Sequence, residues 1–378
     1  MNNKLMIIAG EVSGDLHGSA LIKEIKNINQ SINVIGIGGN SMQNAGMELV
    51  YHIRDMAFLG FTEVVRHLPF IKKVQKQLLN IVKEENIKRV VLIDYPGFNL
   101  NIAPKLKDLG AEVYYYISPQ IWAWGQGRVK KIQKYIDKMI VLFPFEKDFY
   151  SAHGVDVEYV GHPLIERIAD YNFLSKDELY QKLDLDNNKE ILLVMPGSRN
   201  QEVERIFPEV IKAAEKIAGK YNMNIVVSCS ENIEESKLKG LVPSVNFKIC
   251  HGNIYDLLTH SKFGIIKSGT STLEAGILKL PGIVVYKTGE VTYRIGKTLA
   301  KIENIAMANI IAGETVLPEL LQNEVSEKKI FASADKILGN PKLYHTIREK
   351  LSVIKKKLGE PGASKRAAEL ITAGFNES

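Results

Sequence analysis

Short, densely apolar runs recur along this chain with amphipathic stretches between them, and that alternation restricts the fold more than any other feature. Leu5–Ala9, Val34–Ile37, Val90–Ile93, Val113–Ile117 and Met139–Phe143 have the length of buried strands. Runs apolar on both faces belong inside a parallel sheet covered by helices on either side, so the expected class is α/β, a doubly wound, Rossmann-like sheet. A second series, Ile191–Met195, Ile225–Val227, Phe263–Ile266 and Ile283–Tyr286, repeats the pattern, and 378 residues suit two domains. Gly161-His162-Pro163 and the polar stretch Leu174–Glu190 separate the two series, which places a hinge near residues 162–175. The expected division is 1–165 and 166–345, with C-terminal helices over 346–378 that could pack back across the domains. Two such sheets facing a shared cleft would present to it the carboxyl ends of their strands, where ligands bind.

Composition mainly excludes. Lys and Arg total 49 against 43 Asp and Glu, and the resulting +6 is too diffuse to specify nucleic acid. Cys229 and Cys250 have no metal-ligand spacing and are expected as free thiols in a reduced compartment. The N-terminal apolar run is too short for a signal peptide, and no run of 18 apolar residues occurs. A cytosolic protein that can touch a membrane surface is expected. A homo-oligomer is compatible with these features.

Ile265–Ile277 reads as a strand, a Ser268-Gly269-Thr270 turn and a helix N-terminus. Free backbone N–H groups, small residues and the hydroxyls of Ser268, Thr270 and Thr272 suit a diphosphate, and Glu274 could accept from a ribose diol beside it. The same residues would also serve as an ordinary cap with an acid favouring the helix dipole. Met195-Pro196-Gly197-Ser198-Arg199 follows another strand, and Arg199 could clamp a diphosphate or pair with Glu202 or Glu204. Asn309 to Glu314 and Pro318 to Gln322 either line the nucleotide or cap the sheet.

In the first half, Gly10-Glu11-Val12-Ser13-Gly14-Asp15 puts two carboxylates, followed by His17, after the first strand. They suit contact with a sugar or an acid-rich helix start. Gly36-Ile37-Gly38-Gly39 lacks the spacing of a dinucleotide fingerprint and is not expected to hold a cofactor. Asp94, at the end of another strand, is placed to act as a general base or as a cap. Trp122 and Trp124 could pack on a sugar or acyl chain, with Arg128, Lys130 and Lys131 meeting a phosphate, or be buried for structure. Residues 58–79 interleave Phe58, Leu59, Phe61, Val64, Val65, Leu68, Phe70, Ile71, Val74, Leu78 and Leu79 with Arg66, Lys72, Lys73 and Lys76. This is the composition of an interfacial membrane segment or acyl pocket, and equally of a core helix with a solvated lysine face.

Together GEVSGD (10–15), GIGG (36–39), FLGFTEVVRHLP (58–69), IDYPGFN (93–99), SPQIWAWGQGR (118–128), VGHPL (160–164), PGSRNQEVE (196–204), SGTSTLEA (268–275) and NIIAGE (309–314) resemble, in order, the lipid-A-disaccharide synthases. The resemblance spans nearly the whole chain. It implies a GT-B fold and an inverting transfer from UDP-2,3-diacylglucosamine to 2,3-diacylglucosamine 1-phosphate, giving a β(1→6) disaccharide and UDP at the cytoplasmic face of the inner membrane. It further implies Asp94 as base with Glu11 or Asp15 behind it, and a UDP site built from Arg199, Ser268, Gly269, Thr270, Thr272, Glu274 and Asn309. No metal or cofactor is expected, and the acceptor and membrane face fall to the first domain. Gly97 departs from the family pattern, in which a second acid is expected. A UDP-N-acetylglucosamine 2-epimerase-like enzyme, or a non-catalytic nucleotide-sugar-binding peripheral membrane protein, would share parts of this pattern.

Overall fold

Alternate residues of a strand face opposite sides of its sheet, so a strand apolar at every position must be covered on both. In β1 (Lys4–Ala9) Met6 and Ile8 belong to one buried cluster and Leu5, Ile7 and Ala9 to another. The structure, a computed structural model, describes residues 3–56, 68–123, 125–230, 232–290, 293 and 303–375. Met1–Glu166 with Glu360–Ser378 forms one compact unit and Arg167–Gly359 a second.

The first unit adds β2 (Asn33–Gly38), β3 (Met47–His52), β4 (Arg89–Ile93), β5 (Glu112–Tyr116), β6 (Lys138–Val141) and β7 (Val157–Tyr159). Among the described residues they form one parallel sheet in the order β3-β2-β1-β4-β5-β6-β7. Helices Leu68–Glu84, Pro96–Asp108 and Val129–Tyr135 cover one face. Val12–Ile28, Asn40–Asn44 and the last helix, Ala363–Thr372, cover the other. In the second unit β8 (Glu190–Met195), β9 (Met223–Cys229), β10 (Lys248–His251), β11 (Ser261–Lys267), β12 (Gly282–Tyr286) and β13 (Glu319–Leu321) form a parallel sheet ordered β10-β9-β8-β11-β12-β13. Cys229 and Cys250 are buried free thiols on neighbouring strands.

Two details concern stretches for which alternatives were open. The C-terminal stretch divides: Pro341–Lys357 belongs to the second unit and Ala363–Thr372 to the first. Leu68–Glu84 buries Val74, Leu78 and Val82 in the core, with Phe70, Ile71 and Leu79 partly buried against them, while Lys72, Lys73 and Lys76 are exposed. From residue 68 onward this is a core helix with a solvated lysine face. Phe58, Leu59, Phe61, Val64, Val65 and Arg66 lie outside the described residues.

Arg89 fastens the last helix to the first sheet. Its guanidinium donates to the carbonyls of Ile371 (2.6 Å) and Ala373 (2.7 Å), orphan acceptors at a helix end. It also pairs with Glu112 and lies between the rings of Tyr114 and Phe375, 4.8 and 5.1 Å from their centroids. Arg89→Ala should therefore destabilise the first unit by on the order of 3 kcal/mol, a fall of about 6–12 °C in its melting temperature. Arg89→Lys, which keeps the charge but loses the planar fork, should recover only part of this. Calorimetric melting checks it, and a parental melt of the alanine variant would refute the clamp.

Candidate active site

The order of the first sheet reverses between β1 and β4, so the chain leaves these two strands in opposite directions and opens a crevice at their carboxyl ends. Ala9 is in register with Ile93, which brings Gly10 and Glu11 beside Asp94. The Tyr95 ring lies over Gly10 so closely that a Cβ there would come within 2.2 Å of it. Only glycine fits. Asp94 and Tyr95 both adopt left-handed backbone, with φ of 45° and 47°, a conformation that costs about 1 kcal/mol or more per residue carrying a side chain.

The Asp94 carboxyl is half-buried, and its affinity for a proton is raised to about pKa 6. Desolvation is the main cause and the charge of Glu11 adds to it, against a hydrogen bond from the Tyr95 backbone that favours ionisation. A carboxylate tuned close to neutrality at a strand's end is suited to general-base work. Glu11 stands exposed at the start of Val12–Ile28, without a side-chain capping bond.

Asp15 does not share this role. It is buried, and its carboxylate accepts from the backbone N–H groups of Gly39 (2.7 Å), Ser41 (3.0 Å) and Met42 (3.0 Å). It thereby holds the start of helix Asn40–Asn44 and explains the glycine-rich turn, since a Cβ on Gly39 would meet its oxygen at 2.7 Å. Both carboxylate oxygens are thus engaged by backbone N–H groups, a structural use of Asp15.

A second carboxyl group joins Asp94 instead. A cavity of about 230 Å³ at the ends of β4, β5 and β6 is lined by Asp94, Pro96, Ser118, Gln120, Phe143 and Glu146, among others. Glu146 is buried and raised to about pKa 7 by desolvation, against hydrogen bonds from Ser118 (2.6 Å), the Phe143 backbone (3.2 Å) and the Trp122 indole (3.1 Å). It ties the loop after β5 to helix Pro144–Ser151. Trp122 is engaged by Glu146 and by the Phe145 ring, nearly perpendicular to it with centroids 4.8 Å apart, a structural use of this tryptophan. Trp124 lies outside the described residues. Sequence reasoning passed over Glu146, although Phe-Pro-Phe-Glu after an apolar strand is a helix start with Pro at the first position and an acid at the third.

The second sheet reverses between β8 and β11, where Met195 is in register with Ile266. The Pro196–Arg199 turn and the Ser268–Thr270 turn are therefore neighbours. Arg199 is well exposed and only 3.7 Å from Glu202, a loose pairing that leaves its fork open to an anion. Glu202 is held more closely by Lys267, at 2.8 Å, a residue not singled out from sequence. Gly269 and Thr270 are exposed at the start of helix Thr270–Ile277, which has no side-chain cap. Ser268 and Thr272 are buried, with hydroxyls donating to the carbonyls of Ile305 (3.1 Å) and Gly269 (2.8 Å). Their side chains shape the turn.

Glu274 is half-buried, and burial raises its affinity for a proton against the opposing Arg167 charge and a hydrogen bond from the Tyr255 hydroxyl. Asn309 is fully buried and fully engaged. Its amide donates to Leu317 O and Glu319 (2.8 Å each), and its oxygen accepts from Val316 N and Leu317 N (2.9 Å each). Glu319 also accepts from the Ile305 and Ala306 N–H groups, and Gln322 bonds both ways with the Thr288 backbone. Glu314 pairs with Lys350. These residues cap the sheet, and the Asn309 side chain has no group left for a nucleotide. Asp184-Leu185-Asp186 has the spacing of a divalent-ion site, but its acids pair with Lys248 (2.8 Å) and Lys189 (3.3 Å) at the surface.

Comparison with known proteins follows the same lines. A solved UDP-GlcNAc 2-epimerase from Neisseria meningitidis, bound to UDP-GlcNAc, is similar with a TM-score of 0.67 at 14% identity, covering 97% of this chain and 99% of that one. The glycotransferase of kitacinnamycin is similar with a TM-score of 0.66 at 14% identity, covering 97% and 98%. At such identities these likenesses show the fold alone, the two-sheet GT-B architecture. A curated lipid-A-disaccharide synthase of Syntrophus aciditrophicus is 38% identical, covering 97% of each chain. That of Geobacter sulfurreducens is 34% identical, covering 98% of this chain and 97% of its own. The family model described as lipid-A-disaccharide synthetase matches residues 5–372, and the chain belongs to that family of glycosyltransferases.

Proposed function

We propose that the protein joins UDP-2,3-diacylglucosamine to 2,3-diacylglucosamine 1-phosphate, forming the β(1→6) lipid A disaccharide 1-phosphate and releasing UDP. Asp94 carries the reading: a desolvated carboxylate on a left-handed turn at the switch point of the first sheet, in a chain of this family. Inversion from an α-linked donor to a β product needs one in-line displacement. The acceptor 6-hydroxyl attacks C1 as its proton passes to Asp94, and the C1–O bond breaks toward UDP. Arg199 and the backbone N–H groups at Gly269 and Thr270 take up the charge on the leaving diphosphate. Glu274, steadied by Arg167 and Tyr255, accepts from the ribose diol. Glu11 raises the basicity of Asp94 through its charge.

Since only the ionised carboxylate accepts a proton, turnover should rise with pH through about 6, the pKa of Asp94, and be lost below it. The test is incubation with the two acylated glucosamines, measuring UDP and disaccharide from pH 4.5 to 8. Asp94→Asn should lose about 100-fold or more in turnover and the acid limb with it, while binding UDP like the parent. Absence of the disaccharide from the parental reaction would overturn the function. An epimerase would instead convert the UDP-sugar and form no disaccharide.

The nucleotide half is tested separately by calorimetry. Arg199→Ala and Glu274→Ala should each weaken UDP binding by about 10-fold, as expected for loss of one charge-assisted contact. Parental affinity in both would refute the assigned UDP site.

Both substrates carry acyl chains, and among the described residues no helix is long and apolar enough to cross a membrane. The protein is accordingly proposed to act at the cytoplasmic face of the inner membrane through residues 58–79. Leu68 is 43% exposed at the start of its helix, beside the exposed Lys72. Leu68→Ser should reduce binding to anionic phosphatidylglycerol vesicles without lowering the melting temperature, whereas Ile71→Ser should destabilise the fold. Unchanged vesicle binding by the Leu68 variant would place the contact elsewhere.

A further inference from the structure

Asp94 sits on a turn that the backbone does not favour, and the groups that hold it there are buried and polar. Its N–H donates to Tyr116 O at 3.1 Å, continuing the sheet one residue past β4. Its carbonyl accepts two donors: Asn99 Nδ2 at 2.7 Å and the Tyr115 hydroxyl at 2.5 Å. Asn99 Nδ2 also donates to Ile93 O at 3.1 Å, so one amide grips two successive carbonyls at the strand's end. Both Asn99 and Tyr115 are fully buried.

This is not a helix cap. Asn99 is the fourth residue of Pro96–Asp108, and a capping side chain accepts from free N–H groups at the helix start, whereas Asn99 donates backwards to the carbonyls of the preceding turn. Nor is it volume filling. The single Tyr115 hydrogen goes to Asp94 O, and Asn99 Oδ1 has no partner among the described residues, a cost of about 1–3 kcal/mol that an apolar side chain would avoid. A buried amide retained at that cost is explained by what its donors do. With the bonds at Ile93 O and Asp94 N–H, they fix the peptide planes on both sides of Asp94, and so the left-handed backbone of this residue, which lines the cavity.

We infer that Asn99 and Tyr115 are positioning residues for Asp94, two converging donors on its carbonyl that keep its carboxylate aimed at the reacting hydroxyl. The inference rests on the reading of Asp94 as the base. Without the bracket the turn can relax toward right-handed backbone, swinging the carboxylate away while leaving the substrate-binding surfaces in place.

The experiment compares Asn99→Leu, Tyr115→Phe, the double variant and Asp94→Asn in the disaccharide assay, with UDP calorimetry and melting alongside. Tyr115→Phe removes one oxygen and should cut kcat by about 10-fold. Asn99→Leu should cut it by about 100-fold, and the double variant should be little worse, because both donors act on one carbonyl. KM for both substrates and UDP affinity should stay within about twofold. The acid limb of kcat should move by at least about half a pH unit in the single variants, a change that a packing defect alone would not produce. If Asn99→Leu fails to fold, Tyr115→Phe decides alone. Parental kcat and a parental acid limb in Tyr115→Phe, with Asp94→Asn inactive, would overturn the bracket and leave the base standing. Parental turnover by Asp94→Asn would overturn both.

Discussion

Each sheet reverses its strand order once, and the placement of every reactive group follows from that reversal. A parallel sheet puts all its carboxyl ends on one edge, but neighbouring loops there usually sweep the same way and close over each other. Between β1 and β4, and again between β8 and β11, they part. The residues just past those four strands are therefore gathered in groups: Glu11 with Asp94, and Arg199 with Gly269 and Thr270. One point gathers negative charge and the other positive charge and free N–H groups. A proton acceptor and an anion site are what a transfer from a nucleotide-sugar requires.

Burial sets the chemistry of the first point. Asp94 and Glu146 line one cavity, and desolvation raises both toward neutral pH, yet they differ in what surrounds them. Glu146 receives hydrogen bonds from Ser118, Trp122 and the Phe143 backbone and joins two elements together. Asp94 has its backbone carbonyl tied instead, and its carboxylate takes one backbone hydrogen bond, from Tyr95. The left-handed turn pays for that arrangement with strain, and strain kept at a strand's end beside a cavity is expected where function constrains the backbone.

Which parts of this were legible in the sequence follows from where apolar residues are covered twice. The nine apolar runs all correspond to interior or near-interior strands. The four strands without such a run, β3, β7, β10 and β13, are the edges of the two sheets. An edge strand is covered less, and only one residue of each is buried, so no continuous run marks them. Helix Leu68–Glu84 illustrates the converse: its amphipathic period is plain, but the same pattern serves a membrane face or a core, and only the packing of Val74, Leu78 and Val82 decides.

At the strand ends, residue type alone could not separate reactive groups from structural ones, because the same acids and amides satisfy backbone groups where a sheet stops. Asp15 and Glu319 collect backbone N–H groups, Asn309 completes four hydrogen bonds, and Gln322 closes a loop onto Thr288. Asp15 and Asn309 stand in strings that resemble the family, so resemblance does not sort them either. What sorts them is whether the backbone has already claimed their lone pairs. A general base must hold a free lone pair toward its substrate, and a cation that meets a diphosphate must not be locked to a carboxylate. Asp94 takes one backbone N–H on its carboxylate and Arg199 is paired only loosely, whereas Asp15 takes three backbone N–H groups and Asn309 completes four hydrogen bonds. The same criterion separates two cations beside one carboxylate: Lys267 is held to Glu202 at 2.8 Å, whereas Arg199 stands 3.7 Å from the same oxygen and is the less engaged of the two.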